Sequence, residues 1–141
     1  YESSAASDVY KSQVLPELQG KLTANAVRVP TPNVSLAIIN LRFAKDITLE
    51  ELNDFLRQKA FHSDLKEQIG FTNSPEVVST DFVGDRHAGI IDSAATIVNG
   101  NKCVLYVWYD NEFGYTAQLL GLAKEMVGLT YQRYPNFSES T

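Results

Sequence analysis

Three polar side chains near the start of the chain could bind an anion together. Arg28 ends a run of alternating residues whose neighbours on the same face are apolar, where a protein core would favour an apolar group. Ser3 and Ser4 precede a helical pattern, and the N–H groups at a helix N-terminus attract anions. A guanidinium fork beside such groups would suit a phosphate. The alternative is an exposed arginine at a strand end, with Ser4 only capping the helix.

Asn111 is a second candidate, because it lies where a strand pattern changes to a helical one. An asparagine at such a junction can hold a polar ligand through its carboxamide, or it can serve only as the N-cap of the helix. The residues alone leave both roles open.

The groups that most often carry covalent or metal chemistry are sparse. The single cysteine, Cys103, shares a strand face with Leu105 and Val107, which predicts a small buried hydrophobic residue rather than a nucleophile. His62 and His87 have no second ligand at a metal-binding spacing, so no metal site is expected. None of the 8 glycines lies two residues from another, which excludes a glycine-rich dinucleotide loop within this chain.

The composition is that of one ordinary globular domain. The chain has 141 residues, of which 44% are hydrophobic, and its 12 basic and 17 acidic side chains give a net charge of −5. That acidic balance argues against a nucleic-acid partner, which would need clustered Lys and Arg. No apolar run approaches the roughly 20 residues of a membrane span, so no membrane partner is expected either.

The ends of the chain and its cysteine content suggest where it belongs. A lone cysteine fits a reducing compartment, and we expect a cytoplasmic protein. The chain begins at Tyr1 without an initiator methionine or a signal peptide. We therefore expect it to be a piece of a longer protein.

The elements that must position these groups follow from the spacing of apolar residues. In chain order the pattern predicts a helix over residues 5–14, strands over 22–29 and 34–43, a helix over 48–60, strands over 94–98 and 102–109, and a helix from about 113 to 128. Residues 62–93 are expected to be largely irregular, with a brief extended patch at Phe71.

Two local signals support these elements. Thr48 and Glu51 have the spacing of a capping box, with Ile47 and Leu52 at the positions of a hydrophobic staple, so a helix begins there. Asn99-Gly100 predicts a hairpin whose two central residues both have positive φ.

These elements together predict an α+β fold, with a mixed, mainly antiparallel sheet and helices on one face. Residues 1–129 are expected to form this domain, and residues 130–141 a polar, mobile tail.

Four stretches of sequence are long and ordered enough to indicate a family. They are Lys21-Leu22-Thr23, Arg28-Val29-Pro30-Thr31-Pro32-Asn33-Val34-Ser35, Val78-Ser79-Thr80-Asp81-Phe82 and Trp108-Tyr109-Asp110-Asn111-Glu112-Phe113-Gly114-Tyr115. They resemble the phosphorylating glyceraldehyde-3-phosphate dehydrogenases, over about Ser3 to Gly128, in the later part of the family's C-terminal catalytic domain. The tail beyond Gly128 is longer than the family usually carries, which implies a divergent, bacterial member.

The resemblance implies an oxidoreductase that converts glyceraldehyde 3-phosphate, NAD and inorganic phosphate to 1,3-bisphosphoglycerate and NADH, as a homotetramer. It also implies that the nucleophilic cysteine, its activating histidine and the NAD-binding Rossmann domain precede this chain. The chain is then expected to carry no catalytic residue and to be inactive alone. NADP in place of NAD, and erythrose 4-phosphate in place of glyceraldehyde 3-phosphate, stay open. A rival from another class is a non-enzymatic stable domain that acts as an interaction module.

Particular residues take on roles through this resemblance. Arg28 matches the arginine of the family's Arg-Val-Pro motif, which binds the substrate phosphate. Ser3 and Ser4 align with a Thr-Gly pair that binds the attacking phosphate, although Ser4 departs from the usual glycine.

Three further matches lie in the last motif. Asn111 matches the asparagine that holds the nicotinamide carboxamide, and Tyr115 is assigned with it to the cofactor site. Tyr109, like Tyr115, matches an aromatic residue near the reacting centre.

Overall fold

The structure, a computed structural model, describes residues 16–18, 21, 27 and 29–129. Residues 1–30 and 31–141 form two compact units. In the first unit the described element is a 3₁₀ turn at Pro16–Leu18. The predicted helix over residues 5–14, most of the predicted strand over 22–29 and the predicted tail lie outside the described residues.

The second unit is built on a four-stranded sheet. Its strands are β1 (Ser35–Arg42), β2 (Ile69–Thr72), β3 (Gly89–Asn99) and β4 (Lys102–Tyr109). They lie in the order β1-β4-β3-β2. β4 pairs antiparallel with both β1 and β3, whereas β2 and β3 are parallel. With the helices α1 (Leu49–His62) and α2 (Phe113–Met126), this is the predicted α+β arrangement around a mixed, mainly antiparallel sheet.

The predicted hairpin joins β3 to β4, but its turn lies one residue later than predicted. Asn99 pairs with Lys102, so the two central residues are Gly100 and Asn101. Gly100 has a φ of 59°, and Asn101 is not among the described residues with positive φ. A positive φ at the first central position alone is the pattern of a type II′ turn, which favours glycine there. The turn therefore needs one left-handed residue where the sequence predicted two.

β3 begins at Gly89, well before the predicted start at Ala94. Residues 62–93 are thus more regular than predicted, and β2 forms at the predicted extended patch. The ladder with β4 shifts register after Asp92, and the chain bulges there. The Ala95 N–H donates to Asp92 Oδ1 at 3.1 Å and stabilises the bulge. Because a bulge breaks the period of two, the first half of this strand is hidden from pattern analysis.

α1 begins at the predicted capping box. The Glu51 N–H donates to Thr48 Oγ1 at 3.2 Å, and the Thr48 N–H donates to Glu51 Oε2 at 2.9 Å. The bonds from Thr48 lower the pKa of the Glu51 carboxyl. Leu52 and Ala60 of this helix are buried, whereas Phe55 is exposed.

Apolar clusters form on both faces of the sheet. On the face that α1 covers, Leu52 packs with Cys103 and Leu105. On the opposite face, Trp108 of β4 packs against a cluster that contains Ile90 of β3. The second cluster lies next to the end of β4, where three of the predicted site residues are found.

α2 is attached to the rest of the unit through its N-terminal half. Gly114 lies so close to the loop before β3 that a Cβ there would come within 2.7 Å of the His87 carbonyl oxygen. Gln118 Nε2 donates to the Arg86 carbonyl oxygen in the same loop at 2.9 Å. Further along the helix, Leu119 is exposed. In the part of the chain that the structure describes, no helix is long and apolar enough to cross a membrane.

Candidate functional site

Three of the predicted site residues, Tyr109, Asn111 and Tyr115, lie where β4 ends and α2 begins. β1 starts beside them, since Ser35 pairs with Tyr109 across the antiparallel ladder. Residues 33–35 and 109–115 together form what we name the β4–α2 corner.

Asp110 fixes this corner. Its carboxylate is buried, at 3% exposed, and accepts hydrogen bonds at both oxygens. Oδ2 accepts from the Gly84 N–H at 2.9 Å and from Asn33 Nδ2 at 3.0 Å. Oδ1 accepts from the Glu112 N–H at 3.0 Å and from the Phe113 N–H at 2.9 Å. These donors, the Gly84 N–H foremost, hold the pKa of Asp110 below its ordinary value, so the side chain is an anion at neutral pH.

One consequence is that the cap of α2 comes from Asp110 and not from Asn111. Glu112 occupies the N-cap position but makes no side-chain cap bond. Asn111 is exposed, and its Nδ2 donates instead to Ser35 Oγ at 2.8 Å. Of the two roles that the sequence left open for Asn111, helix capping is therefore wrong.

Val34 sets the direction in which β1 leaves the corner. Its φ is 72°, in the left-handed region that a β-branched residue rarely adopts. Its N–H donates to Asn33 Oδ1 at 2.8 Å, and its buried side chain packs with Phe82 and Ile90. Backbone strain of this kind tends to cluster at functional sites. Ser35 is the next residue in the chain.

The aromatic residues of the corner differ in exposure. Tyr115 is 70% exposed on the first turn of α2, whereas Tyr109 is half-buried at the end of β4. Trp108 is tied into the sheet, because its Nε1 donates to Asp92 Oδ2 at 3.1 Å and its ring stacks on Phe82 with centroids 5.6 Å apart. Tyr115 is therefore the more accessible of the two predicted tyrosines.

Arg28, Ser3 and Ser4 lie outside the described residues. Their phosphate-binding roles stay predictions.

The other candidates for covalent or metal chemistry have ordinary surroundings. Cys103 is 2% exposed, and burial raises the pKa of its thiol, which confirms the prediction of a small buried hydrophobic residue. His87 Nδ1 lies 2.6 Å from Asp85 Oδ1 in the loop before β3, and His62 is exposed at the end of α1. Within residues 29–129 and the few described before them, no three His, Cys, Asp or Glu side chains are grouped to hold a metal ion.

Sequence reasoning missed Asn33, Ser35 and Asp110 as parts of this site. The bond between Asn33 and Asp110 joins residues 77 positions apart, and the bond between Ser35 and Asn111 joins residues 76 apart. No local spacing rule connects such pairs. The available signal was their presence in the second and fourth family-like motifs.

Comparison with known proteins decides the family. The family described as "Glyceraldehyde 3-phosphate dehydrogenase, C-terminal domain" matches residues 1–111. The chain belongs to this family. The predicted membership and the predicted fold class are both confirmed.

Relatives that the chain matches carry consistent names. The chain is 59% identical over 124 residues to a "Glyceraldehyde-3-phosphate dehydrogenase-like protein" of Pseudomonas aeruginosa (strain UCBPP-PA14), which covers 88% of this chain and 27% of that protein. It is 46% identical over 121 residues to "Glyceraldehyde-3-phosphate dehydrogenase 2" of Mucor circinelloides f. lusitanicus, a match that covers 85% of this chain and 35% of that protein. It is 45% identical over 115 residues to "Glyceraldehyde-3-phosphate dehydrogenase" of Glossina morsitans morsitans, a match that covers 81% of this chain and 34% of that protein. The chain thus spans between 27% and 35% of the length of these relatives.

Proposed function

We propose that this chain is the C-terminal catalytic-domain part of a phosphorylating, NAD-dependent glyceraldehyde-3-phosphate dehydrogenase. Such an enzyme converts glyceraldehyde 3-phosphate, NAD and inorganic phosphate to 1,3-bisphosphoglycerate and NADH. The family membership supports the reaction class. The observation that carries the proposal is the exposed Asn111 carboxamide, held on a corner whose backbone Asp110 fixes.

The β4–α2 corner fits the amide end of a nicotinamide. A nicotinamide presents a carboxamide with N–H donors, and NAD supplies the hydride acceptor when it is bound. Asn111 is exposed, and its carboxamide carries both an acceptor oxygen and N–H donors, so it can pair with such a group. In this proposal Asn111 holds the cofactor amide, Tyr115 flanks the cofactor and Tyr109 lies near the reacting centre.

The remaining roles are assigned to residues that the structure does not describe and to the rest of a longer protein. Arg28 is proposed to bind the substrate phosphate through its guanidinium fork, and Ser3 and Ser4 to bind the attacking phosphate. The nucleophilic cysteine, the activating histidine and the Rossmann domain are proposed to belong to the preceding part of the longer protein. The 141-residue chain alone is then expected to be inactive.

A homo-oligomer, the tetramer of the family, is part of the same proposal. The sheet face opposite α1 exposes Leu36, Ile38 and Ile97, with Ile38 at 56% and Ile97 at 53%. Apolar side chains grouped on one face are typical of a surface that is covered in an assembly. Sedimentation velocity of the full-length protein tests this point.

A dehydrogenase assay on the full-length protein tests the proposed reaction. NADH should form only when glyceraldehyde 3-phosphate and phosphate are both present, and the 141-residue chain should stay at background. Parallel reactions with NADP and with erythrose 4-phosphate compare the alternative cofactor and substrate. A folded full-length protein that reduces neither cofactor with either aldehyde would overturn the proposal.

Substitution of Asn111 tests the site within that protein. Asn111→Ala should lower kcat/KM for NAD by about tenfold or more, because the nicotinamide ring that accepts the hydride is then no longer held in the productive geometry. Asn101→Ala is the matched control. It removes a side-chain bond to the Phe43 carbonyl in the hairpin turn, away from the corner, and should leave the kinetics unchanged.

A further inference from the structure

β2 forms one edge of the sheet, and its outer side carries backbone groups that no strand pairs. Among the described residues, β3 is the strand that pairs with β2, and none pairs with its other side. The Thr72 C=O accepts from Ser93 Oγ of β3 at 2.8 Å, so the backbone groups of Thr72 point toward β3. Because successive residues of a strand turn their backbone groups to opposite sides, those of Ile69 and Phe71 point outward.

Three of these outward groups are open to a new partner. The Ile69 N–H donates to the Leu65 C=O at 2.8 Å, in the turn before the strand. The Ile69 C=O and the N–H and C=O of Phe71 have no hydrogen-bond partner in the described part of the chain. Proteins usually protect such an edge with a proline, a charged side chain or a bulge. Apart from its short length of 4 residues, β2 has none of these protections.

A groove of about 430 Å³ runs along this edge and is lined from both faces of the sheet. On the side that α1 covers, its wall is apolar. Ala60 and Phe61 of α1 line it, and the Phe61 ring meets the Phe71 ring edge to face, with centroids 6.2 Å apart. A side chain that points to this side from an added strand would therefore meet apolar surface.

The wall on the opposite face of the sheet is polar. Phe82, of the cluster opposite α1, lines it together with its chain neighbour Asp81. Gly70 presents the same face, and a Cβ there would lie 3.1 Å from His87 Nδ1. Asp85 Oδ1 lies 2.6 Å from that nitrogen. Each carboxylate keeps one oxygen, Oδ1 of Asp81 and Oδ2 of Asp85, without a hydrogen bond to a described residue.

Charge decides which kind of segment fits this groove. Glu67, Asp81 and Asp85 line it, against a single lysine, Lys66. A segment with lysine or arginine on the polar side would complement these carboxylates, and apolar residues between them would pack toward α1. A second copy of β2 fits less well, because pairing two such edges brings the same acidic groups together.

We propose that β2 binds an extended segment of another protein as an added antiparallel strand, whose alternate side chains are apolar toward α1 and basic toward Asp81 and Asp85. Main-chain bonds to a sheet edge, with pockets for alternate side chains, are one of the recurring modes of peptide recognition. Antiparallel pairing is the more stable per residue. The interaction is independent of the proposed dehydrogenase reaction.

A short capped peptide in which valine and lysine alternate is the probe, and fluorescence anisotropy of its labelled form on the full-length protein measures the dissociation constant. In an antiparallel pair, the residue opposite Phe71 turns its side chain to the same face as Phe71 and its backbone groups toward it. The valines opposite Ile69 and Phe71 thus supply the N–H groups that bond to β2, and the N–H groups of the lysines point away. N-methylation of the valines should weaken binding by about tenfold or more, the effect of two lost hydrogen bonds. N-methylation of the lysines should leave binding nearly unchanged.

Two further measurements locate the contact. Hydrogen exchange read by mass spectrometry should be fast for the β2 segment in the free protein and slower with the peptide bound, whereas the hairpin turn at Gly100 should exchange alike in both states. Asp81→Asn should weaken binding by about two- to fivefold, as expected for one exposed ion pair, and should not affect a peptide with serine in place of lysine. Asp54→Asn is the matched control, because Asp54 lies 3.7 Å from Arg57 on α1 and does not line the groove.

Several results would contradict the proposed strand addition. Absence of binding by the alternating peptide would overturn it, and so would equal weakening by both N-methylated peptides or weakening by the lysine set alone. Slow exchange of the β2 segment in the free protein would overturn it as well. That result would mean that the edge is already covered, by a second copy or by another part of the protein.

Discussion

Two glycines of α2 should respond in opposite directions to the same substitution. At Gly114 a Cβ would lie 2.7 Å from the His87 carbonyl oxygen and 3.6 Å from that of Asp85, whereas at Gly121 nothing lies within 4 Å. A backbone carbonyl cannot rotate away as the tip of a flexible side chain can. Gly114→Ala must therefore displace either the start of α2 or the loop before β3.

The magnitudes follow from two opposing effects. Replacing a helical glycine by alanine stabilises a helix by about 0.8–1.0 kcal/mol, and Gly121→Ala should show this gain because the new methyl group meets open space. Forcing a methyl group into a packed contact costs about 1–3 kcal/mol. Gly114→Ala should thus lower the free energy of unfolding by up to about 2 kcal/mol, and the two variants should differ by about 1–3 kcal/mol.

Urea unfolding of the chain measures this difference. The single tryptophan, Trp108, stacks on Phe82 next to the corner, so its fluorescence reports the loss of local packing. Equal free energies of unfolding for Gly114→Ala and Gly121→Ala would refute the reasoning. That result would mean that α2 can move away from the loop without cost, and that the close approach at Gly114 does not hold the corner in place.

Three further predictions concern Val34, Asp110 and Arg28. Val34→Gly should be more stable than Val34→Ala by about 1 kcal/mol in urea unfolding, because glycine adopts a φ of 72° without strain; the opposite order would show that no strain is stored there. Hydrogen bonds lower the pKa of Asp110 in the folded state below the ordinary aspartate pKa of 3.8. The stability that this carboxylate contributes is therefore fully present above pH 3.8 and is lost as the pH falls through the lower pKa of the folded state. Asp110→Asn should therefore remove this part of the acid transition. Asp81→Asn, which keeps an oxygen that can accept from the Val78 N–H, should leave it in place. In the full-length protein, Arg28→Ala should lower kcat/KM for the phosphorylated aldehyde by about 10- to 150-fold, and an aldehyde without the phosphate should be unaffected.

Elements that are fixed by contacts between residues close in sequence could be predicted from the sequence. The capping box fixes the start of α1 because Thr48 and Glu51 are three residues apart and bond to each other. The first half of β3 could not be predicted, because the bulge after Asp92 interrupts its alternation. The type of the hairpin turn was missed for a related reason, since the pairing of β3 with β4 sets the turn register, and the Asn-Gly dipeptide alone does not.

The site was harder to predict than the fold because its decisive contacts are long-range. The residues that could face a ligand were found through motifs, but the side chains that hold them were not. Asp110 reads from the sequence as one of several acidic groups at the start of a helix, and nothing in its neighbourhood marks it as buried. Its role is set by hydrogen bonds from Gly84 and Asn33, which lie far from it in the sequence.

Stability and positioning are joined at the β4–α2 corner through Asp110. The same carboxylate that caps α2 also holds Asn33, and Asn33 in turn accepts the N–H of the strained Val34. The strain at Val34 is thus balanced by bonds that also set the start of α2. Loosening the bond to Asn33 or the bonds to the start of α2 would move Ser35 relative to Asn111 and disturb the hydrogen bond between their side chains. The buried Asp110 carboxylate accepts hydrogen bonds from three segments of the chain, so it is costly to replace. The position of the exposed Asn111 side chain therefore depends on the folding of this whole end of the sheet.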